Sequence, residues 1–172
     1  PLGTLKAQAG RFLPDGRRIL LLAAEPGRAT RIYLTDVQGK KPQALTDENY
    51  RGPTFISSDG TRFLVRGPDE KASFYSFQTR GLTPIPAVKP NDFVAGWMAD
   101  GTGLYVQGPG IPAPIDRLEL ATGRRERWKE IVPSDVAGVV RISSLLVSPD
   151  GRFYAYAYSR VLSNLYLAEG LK

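Results

Sequence analysis

Apolar and polar positions in this chain alternate with a period of two, in short runs separated by Asp-Gly turns. The clearest run is Ser148-Pro149-Asp150-Gly151-Arg152-Phe153-Tyr154-Ala155-Tyr156-Ala157-Tyr158-Ser159. Pro149 sets one backbone dihedral, Asp150 can accept a hydrogen bond from the backbone two residues on, and Gly151 tolerates a positive φ. Beyond the turn, Phe153, Ala155 and Ala157 fall on one face of an extended strand, and Tyr154, Tyr156 and Tyr158 on the other. Both faces are apolar, which predicts a strand packed on both sides.

The remaining chain reads as copies of this unit. Pro14-Asp15-Gly16, Ser58-Asp59-Gly60, Ala99-Asp100-Gly101 and Pro149-Asp150-Gly151 are separated, Asp to Asp, by 44, 41 and 50 residues. Before each turn lies a short apolar segment: 11–13, 54–56, 93–97 and 145–147. After each comes a second apolar strand (18–24, 62–66, 103–107, 152–159) and then a third (30–35, 72–77, 115–120, 164–167). A small turn leads to a fourth strand at 42–45, 82–85 and 124–131. Four short antiparallel strands per unit, repeating every 40–50 residues or so, predict an all-β propeller of four blades, complete or as a half-ring. The expected blades are 8–46, 52–86, 93–131 and 143–168, in one domain over 1–172. The fourth copy lacks a fourth strand, and residues 1–8 are available to close it. Without closure, an open strand edge invites pairing with a second copy or with further blades.

The Ser-Pro-Asp-Gly turn, the strand after it and a segment such as Asn164-Leu165-Tyr166-Leu167 resemble the Asp-Gly-containing, WD40-like repeat of TolB-type β-propellers. The tail, Ala121-Thr122-Gly123-Arg124-Arg125-Glu126-Arg127-Trp128-Lys129-Glu130 followed by residues 148–172, is similar to the C-terminal propeller of acidobacterial-type, eukaryotic-like serine/threonine kinases. That resemblance implies a bacterial sensory or scaffolding module. Its kinase domain would lie N-terminal, across a linker that often includes a membrane span. The compartment would then be extracytoplasmic, and cytoplasmic without such a span. The chain itself has no Gly-rich loop, His-Arg-Asp or Asp-Phe-Gly motif, so no kinase activity is expected of it. The alternative is the accessory propeller of a prolyl-oligopeptidase-type hydrolase.

Composition sharpens this picture by exclusion. Eighteen Gly and fourteen Pro are spread over the 172 residues, and no window shows three turns of helical periodicity. The longest apolar run, 19–24, has strand length and is far short of a membrane-spanning helix. The chain begins at Pro1 rather than Met, which suggests that upstream sequence was removed. Cysteine is absent, which rules out disulfides, thiolate nucleophiles and thiolate metal sites. Histidine is absent too, which rules out His-dependent triads and His-based zinc sites. The net charge of +6 comes from scattered basic residues without a nucleic-acid motif. They are read as solvated surface and edge protection, not as a nucleic-acid or membrane footprint.

Candidate chemistry therefore lies on loops. In propellers, partners meet the face carrying the connections between blades and between second and third strands. Those connections present Asp47, Glu48, Tyr50, Arg51, Lys71, Lys89, Asp92, Asp135 and Arg141, together with Asp69 and Glu70. This mixed-charge, partly aromatic set suits a protein or peptide partner. The adjacent acids Asp47-Glu48 and Asp69-Glu70 lack the alternating spacing of a calcium loop, so no metal is expected. No serine lies in a Gly-x-Ser-x-Gly elbow. The four turn aspartates recur at one place in the unit, as a turn requires and a unique active site does not. The segment 124–129 is expected as an outer strand with its charges in water, and Trp97 and Trp128 as core residues. The expectation is a non-catalytic binding module without cofactor.

Overall fold

The computed structural model describes residues 4–38, 41–52 and 55–163. The chain is all-β: among these residues it forms thirteen antiparallel strands and no helix. The first sheet runs β1 (Lys6–Phe12), β2 (Arg18–Ala24), β3 (Arg31–Asp36) and β4 (Gln43–Ala44), each paired with the next. The second contains β5 (Arg62–Arg66), β6 (Ala72–Ser76) and β7 (Gly81–Pro84). Its inner position is held by two bridges, Arg51 to Arg66 and Ile56 to Phe63. The third contains β8 (Phe93–Trp97), β9 (Gly103–Gln107), β10 (Ala113–Glu119) and β11 (Arg125–Ile131). The fourth pairs β12 (Val139–Val147) with β13 (Tyr154–Arg160). Each Asp-Gly turn joins the inner strand of a sheet to the second one. These four sheets are the blades of a partial β-propeller.

The turns form for one repeated reason. Asp15, Asp59, Asp100 and Asp150 each accept the backbone N–H two residues on, from Arg17, Thr61, Thr102 and Arg152, at 2.9–3.0 Å. The glycines that follow have φ of 65°, 67°, 69° and 69°. Asn or Asp side chains satisfy the turn locally, and glycine takes the left-handed backbone without steric cost. The turn aspartates are thus fold residues.

Period-two alternation in the second strands builds the core. Phe63 and Val65 pack with Leu13, Leu20, Ile32 and Tyr75 between the first two blades, while Leu64 between them points the other way. There Leu64 joins Phe74, Trp97, Leu104, Val106 and Leu118 between the second and third blades. Tyr105, flanked by Leu104 and Val106, faces the fourth blade with Ala95, Ile115, Ile142, Leu145 and Val147. Burial on both faces is what makes these strands read as continuous apolar runs. Trp97 is core, as expected, and stacks on Phe74 with ring centroids 5.1 Å apart. Trp128 packs at the margin of the third core against Tyr105, at 4.9 Å.

Three expectations change. The strand expected to be packed on both faces, 152–159, packs on one: Tyr156 meets the third blade, while Phe153 is 68% exposed and Ala155 and Ala157 are open. No described element lies against that second face. The described part of the 1–8 segment does not close the ring. Lys6 and Ala7 pair with Ala24 and Ala23, so they begin the first blade's own inner strand. The segment 124–129 is an outer strand, but Arg125 is not in water; it is largely buried among carboxylates. The third strand expected at 164–167 lies outside the described residues.

Candidate binding cleft between the third and fourth blades

The face carrying the blade connections holds a cleft of about 640 Å³. One wall is β12 from Val140 to Ser144, and the other is Asn91 and Phe93 leading into β8. The far side is Gln107 at the end of β9, with the connection Gly108-Pro109-Gly110-Ile111 that follows. Backbone irregularities lie in the β12 wall and on the far side. The β12–β13 register shifts between Ser143 and Leu146, and Ser144 has φ 54°. A bulge of this kind re-aims side chains and leaves ladder groups unpaired. Gly110 has φ 119°, and the Ile111–Pro112 peptide is cis.

The cleft combines three kinds of surface. Phe93, Ile111 and Val140 are exposed apolar groups, the last of them 58% exposed. Ser143, Ser144 and Asn91 supply polar groups, and Arg141 is an exposed cation that forms no ion pair among the described residues. Gln107 is 6% exposed. Its Nε2 donates to the carbonyl of Ile142 at 3.1 Å, whereas its Oε1 is buried without a hydrogen-bond partner among the described residues. A buried acceptor left unpaired costs about 1–3 kcal/mol, so a donor brought by a ligand has a specific place to bind. Arg66 ends β5 where Gln107 ends β9. Its longer side chain reaches the carbonyls of Glu70, at 2.9 Å, and of Asp92. The shorter Gln107 leaves one atom unspent.

Of the loop residues expected on this face, Arg141 alone lines the cleft. The others are mostly committed to one another. Glu48 is 2.5 Å from Arg28 and 3.7 Å from Arg31, and the hydrogen bond from Arg28 holds its carboxyl below the usual range. Arg51 pairs with Glu70 at 2.8 Å and Lys71 with Asp69 at 2.9 Å. Asp135 pairs with Arg160 at 2.8 Å. Tyr50 packs on the core between the first two blades. Asp47 is exposed, and its carbonyl accepts the Thr46 hydroxyl at 3.0 Å. Lys89 is exposed and gives its backbone N–H to Asp92 Oδ2 at 2.8 Å. Asp92 departs from its expected place on an open loop: it is buried, and its carboxylate binds Arg125. Arg125 also binds Asp116 at 2.8 Å, and Arg127 binds the other oxygen of Asp116 at 2.8 Å. Burial works against ionisation of Asp116, but hydrogen bonds from Arg127 and Arg125 outweigh it and hold its carboxyl below the usual range. No group of three or more Asp or Glu side chains among the described residues is arranged to hold a metal ion.

The site residue that sequence reasoning missed is Gln107. Its signal was slight: one polar residue closing the apolar run Leu104-Tyr105-Val106. Only the packing of β12 beside it shows that one of its polar atoms is left over.

No protein-family model matches this chain, and no curated protein matches it in sequence. Solved structures do match in shape. TolB from Acinetobacter baumannii aligns with a TM-score of 0.59 at 17% identity, over 91% of this chain and 44% of that one. A protein assigned as TolB in Agrobacterium tumefaciens aligns with a TM-score of 0.64 at 17% identity, over 90% of this chain and 56% of that one. A puromycin-hydrolysing peptidase of Mycobacterium tuberculosis aligns with a TM-score of 0.52 at 23% identity, over 90% of this chain and 26% of that one. The chain spans about half the length of the TolB structures it matches. These likenesses establish a TolB-like propeller fold.

Proposed function

We propose that this chain is a non-catalytic propeller module that binds an extended peptide or protein segment in the cleft between its third and fourth blades. The observation that carries this reading is Gln107 Oε1, a buried acceptor without a partner among the described residues, beside the exposed apolar groups Phe93, Ile111 and Val140. An extended peptide supplies a backbone N–H for the first and an apolar side chain for the others. Arg141, without an ion pair among the described residues, favours an acidic residue next to the apolar one. The absence of Cys, His and kinase motifs supports a binding role over catalysis.

The similarity of residues 121–130 and 148–172 to kinase C-terminal propellers supports placing the module in a bacterial serine/threonine kinase. The face of the fourth blade that no described element covers, with Leu146, Ala155 and Ala157 exposed, supports continuation of the ring by further blades or a second copy. A second reading, the accessory propeller of a hydrolase, draws support from the peptidase of similar shape. The identity of the domain encoded beside this one separates the two.

The binding reading is tested by screening the full chain against a random peptide array and measuring the hits by fluorescence anisotropy. Hits rich in apolar-acidic pairs, weakened by Gln107→Leu and by Arg141→Glu, are expected. Hits indifferent to both substitutions, or turnover of a substrate by the chain, overturn the proposal.

A further inference from the structure

A second groove, of about 620 Å³, lies on the opposite face, which carries the Asp-Gly turns. It runs between the outer strand of the second blade and the β10–β11 hairpin of the third. Its floor is Phe74, Ile85 and Leu118, and its walls include Pro84, Pro86 and Leu120. At one side stands Arg62, the one cation among the described residues that line it.

Arg62 is held between aromatic rings and forms no ion pair among the described residues. Its guanidinium lies 5.0 Å from the ring centre of Phe74 and 4.9 Å from that of Trp97. Among the described residues its side chain makes one hydrogen bond, a 3.5 Å contact from Nη2 to the carbonyl of Gly101, and no ion pair. The equivalent residue of the first blade behaves differently. Arg18 also follows its turn aspartate by three positions and lies over an aromatic ring, that of Phe77 at 5.4 Å. Yet Arg18 binds its own turn aspartate, with Nε 2.5 Å from Asp15 Oδ2. In the second blade that aspartate, Asp59, is taken by the hydroxyls of Ser57 and Thr61. The same fold position therefore presents an ion-paired cation in one blade and, in the next, a guanidinium that forms no ion pair among the described residues and feels Asp59 only at longer range.

We infer that this groove binds the C-terminus of a polypeptide that ends in an apolar residue. The α-carboxylate sits on the Arg62 fork, and the last side chain sits on Phe74, Ile85 and Leu118. A guanidinium presents parallel N–H donors that match a carboxylate, and the aromatic contacts orient it in advance. The rim favours a peptide over a hydrocarbon carboxylate. Thr83 and Glu119 line it, and their oxygens can accept backbone N–H groups that an alkyl chain lacks. Glu119 Oε2 already accepts the Thr122 hydroxyl at 2.6 Å, which leaves Oε1 as the acceptor for a peptide N–H. This groove is separate from the cleft between the third and fourth blades, and the inference does not rest on the function proposed there.

The test uses the full chain and a fluorescein-labelled Gly-Ser-Ala-Ile-Leu peptide with a free C-terminal carboxylate, beside the same peptide as its C-terminal amide. Saturable binding of the free acid is expected, with the amide about tenfold weaker or worse, the effect of losing one charge-assisted pair. Arg62→Met should bring the free acid down to the level of the amide. Arg62→Lys, which keeps the charge without the fork, should fall between. Lys6→Gln, an exposed position on the first blade that lines neither groove, should change nothing. Decanoate at equal concentration should fail to displace the peptide. Equal affinity of acid and amide, no saturable binding of the acid, or displacement by decanoate overturns the inference. If Arg62→Met does not fold, the acid-to-amide ratio on the unaltered chain and the Arg62→Lys variant decide alone.

Discussion

Arg125 Nη1 lies 2.5 Å from Asp92 Oδ2, joining the outer strand of the third blade to the connection that leads into its inner strand. The two side chains are only 20% and 3% exposed. A buried charge stripped of its partner is costly, whereas the intact pair contributes little net stability. Asp92→Ala should therefore cost about 2–4 kcal/mol, towards the lower end because Asp116 still faces Arg125. Urea denaturation measures it. A loss below about 0.5 kcal/mol would show that water reaches the site.

The turn aspartates make stability depend on acid. Backbone N–H groups of Arg18 and Arg17 lower the Asp15 carboxyl from 3.8 to about 2. The Ser57 hydroxyl lowers Asp59, the Thr102 backbone N–H lowers Asp100 and the Ser148 hydroxyl lowers Asp150. A carboxyl depressed in the folded state stabilises it fully above the unfolded value and loses that effect as pH falls through the folded one. Stability should thus hold down to about pH 4 and decline towards pH 2. Urea midpoints across this range should fall less steeply for a variant with all four aspartates changed to Asn. Identical slopes would remove the turns as the cause.

Gly96 sets how closely the third and fourth blades approach. A Cβ there would lie 2.6 Å from the backbone oxygen of Val147, which cannot rotate away. Gly96→Ala should cost about 1–3 kcal/mol through overpacking. At Gly10 the nearest atom, 3.2 Å from a built Cβ, is the tip of the Leu21 side chain, which can turn aside. Gly10→Ala should therefore cost less. Thermal or urea unfolding of the two variants compares them directly, and a larger loss at Gly10 would contradict this account.

Gln107 separates binding from stability. Leucine at this position gives up the bond to the Ile142 carbonyl but also removes the unpaired Oε1. The two effects oppose, so stability should change by no more than about 1 kcal/mol. Peptide binding in the cleft should weaken about tenfold. A variant that unfolds, or one that binds peptide as before, would contradict the role assigned to Gln107.

The propeller was legible in the sequence because its determinants are local and repeated. An Asp that bonds the backbone two residues on, a Gly that takes positive φ and a strand apolar on both faces need no distant partner to be recognised. Residues 58–66 and 99–107 each carry that information complete. The sites were much less legible, because each depends on which side chains pack together across blades. Asp92 reads as an open-loop acid until Arg125, far away in the chain, is folded against it. Arg62 and Arg18 read alike until one turn aspartate proves to be taken by two hydroxyls and the other by the arginine. Arg141 reads as a loop cation but lies within β12, exposed and without an ion pair among the described residues. The sequence by itself determined the turns, the strand faces and the blade repeat, since these rest on short-range geometry. Only the tertiary structure decided which charges are neutralised and which polar atoms are left free, since burial and pairing are properties of neighbours brought together by folding.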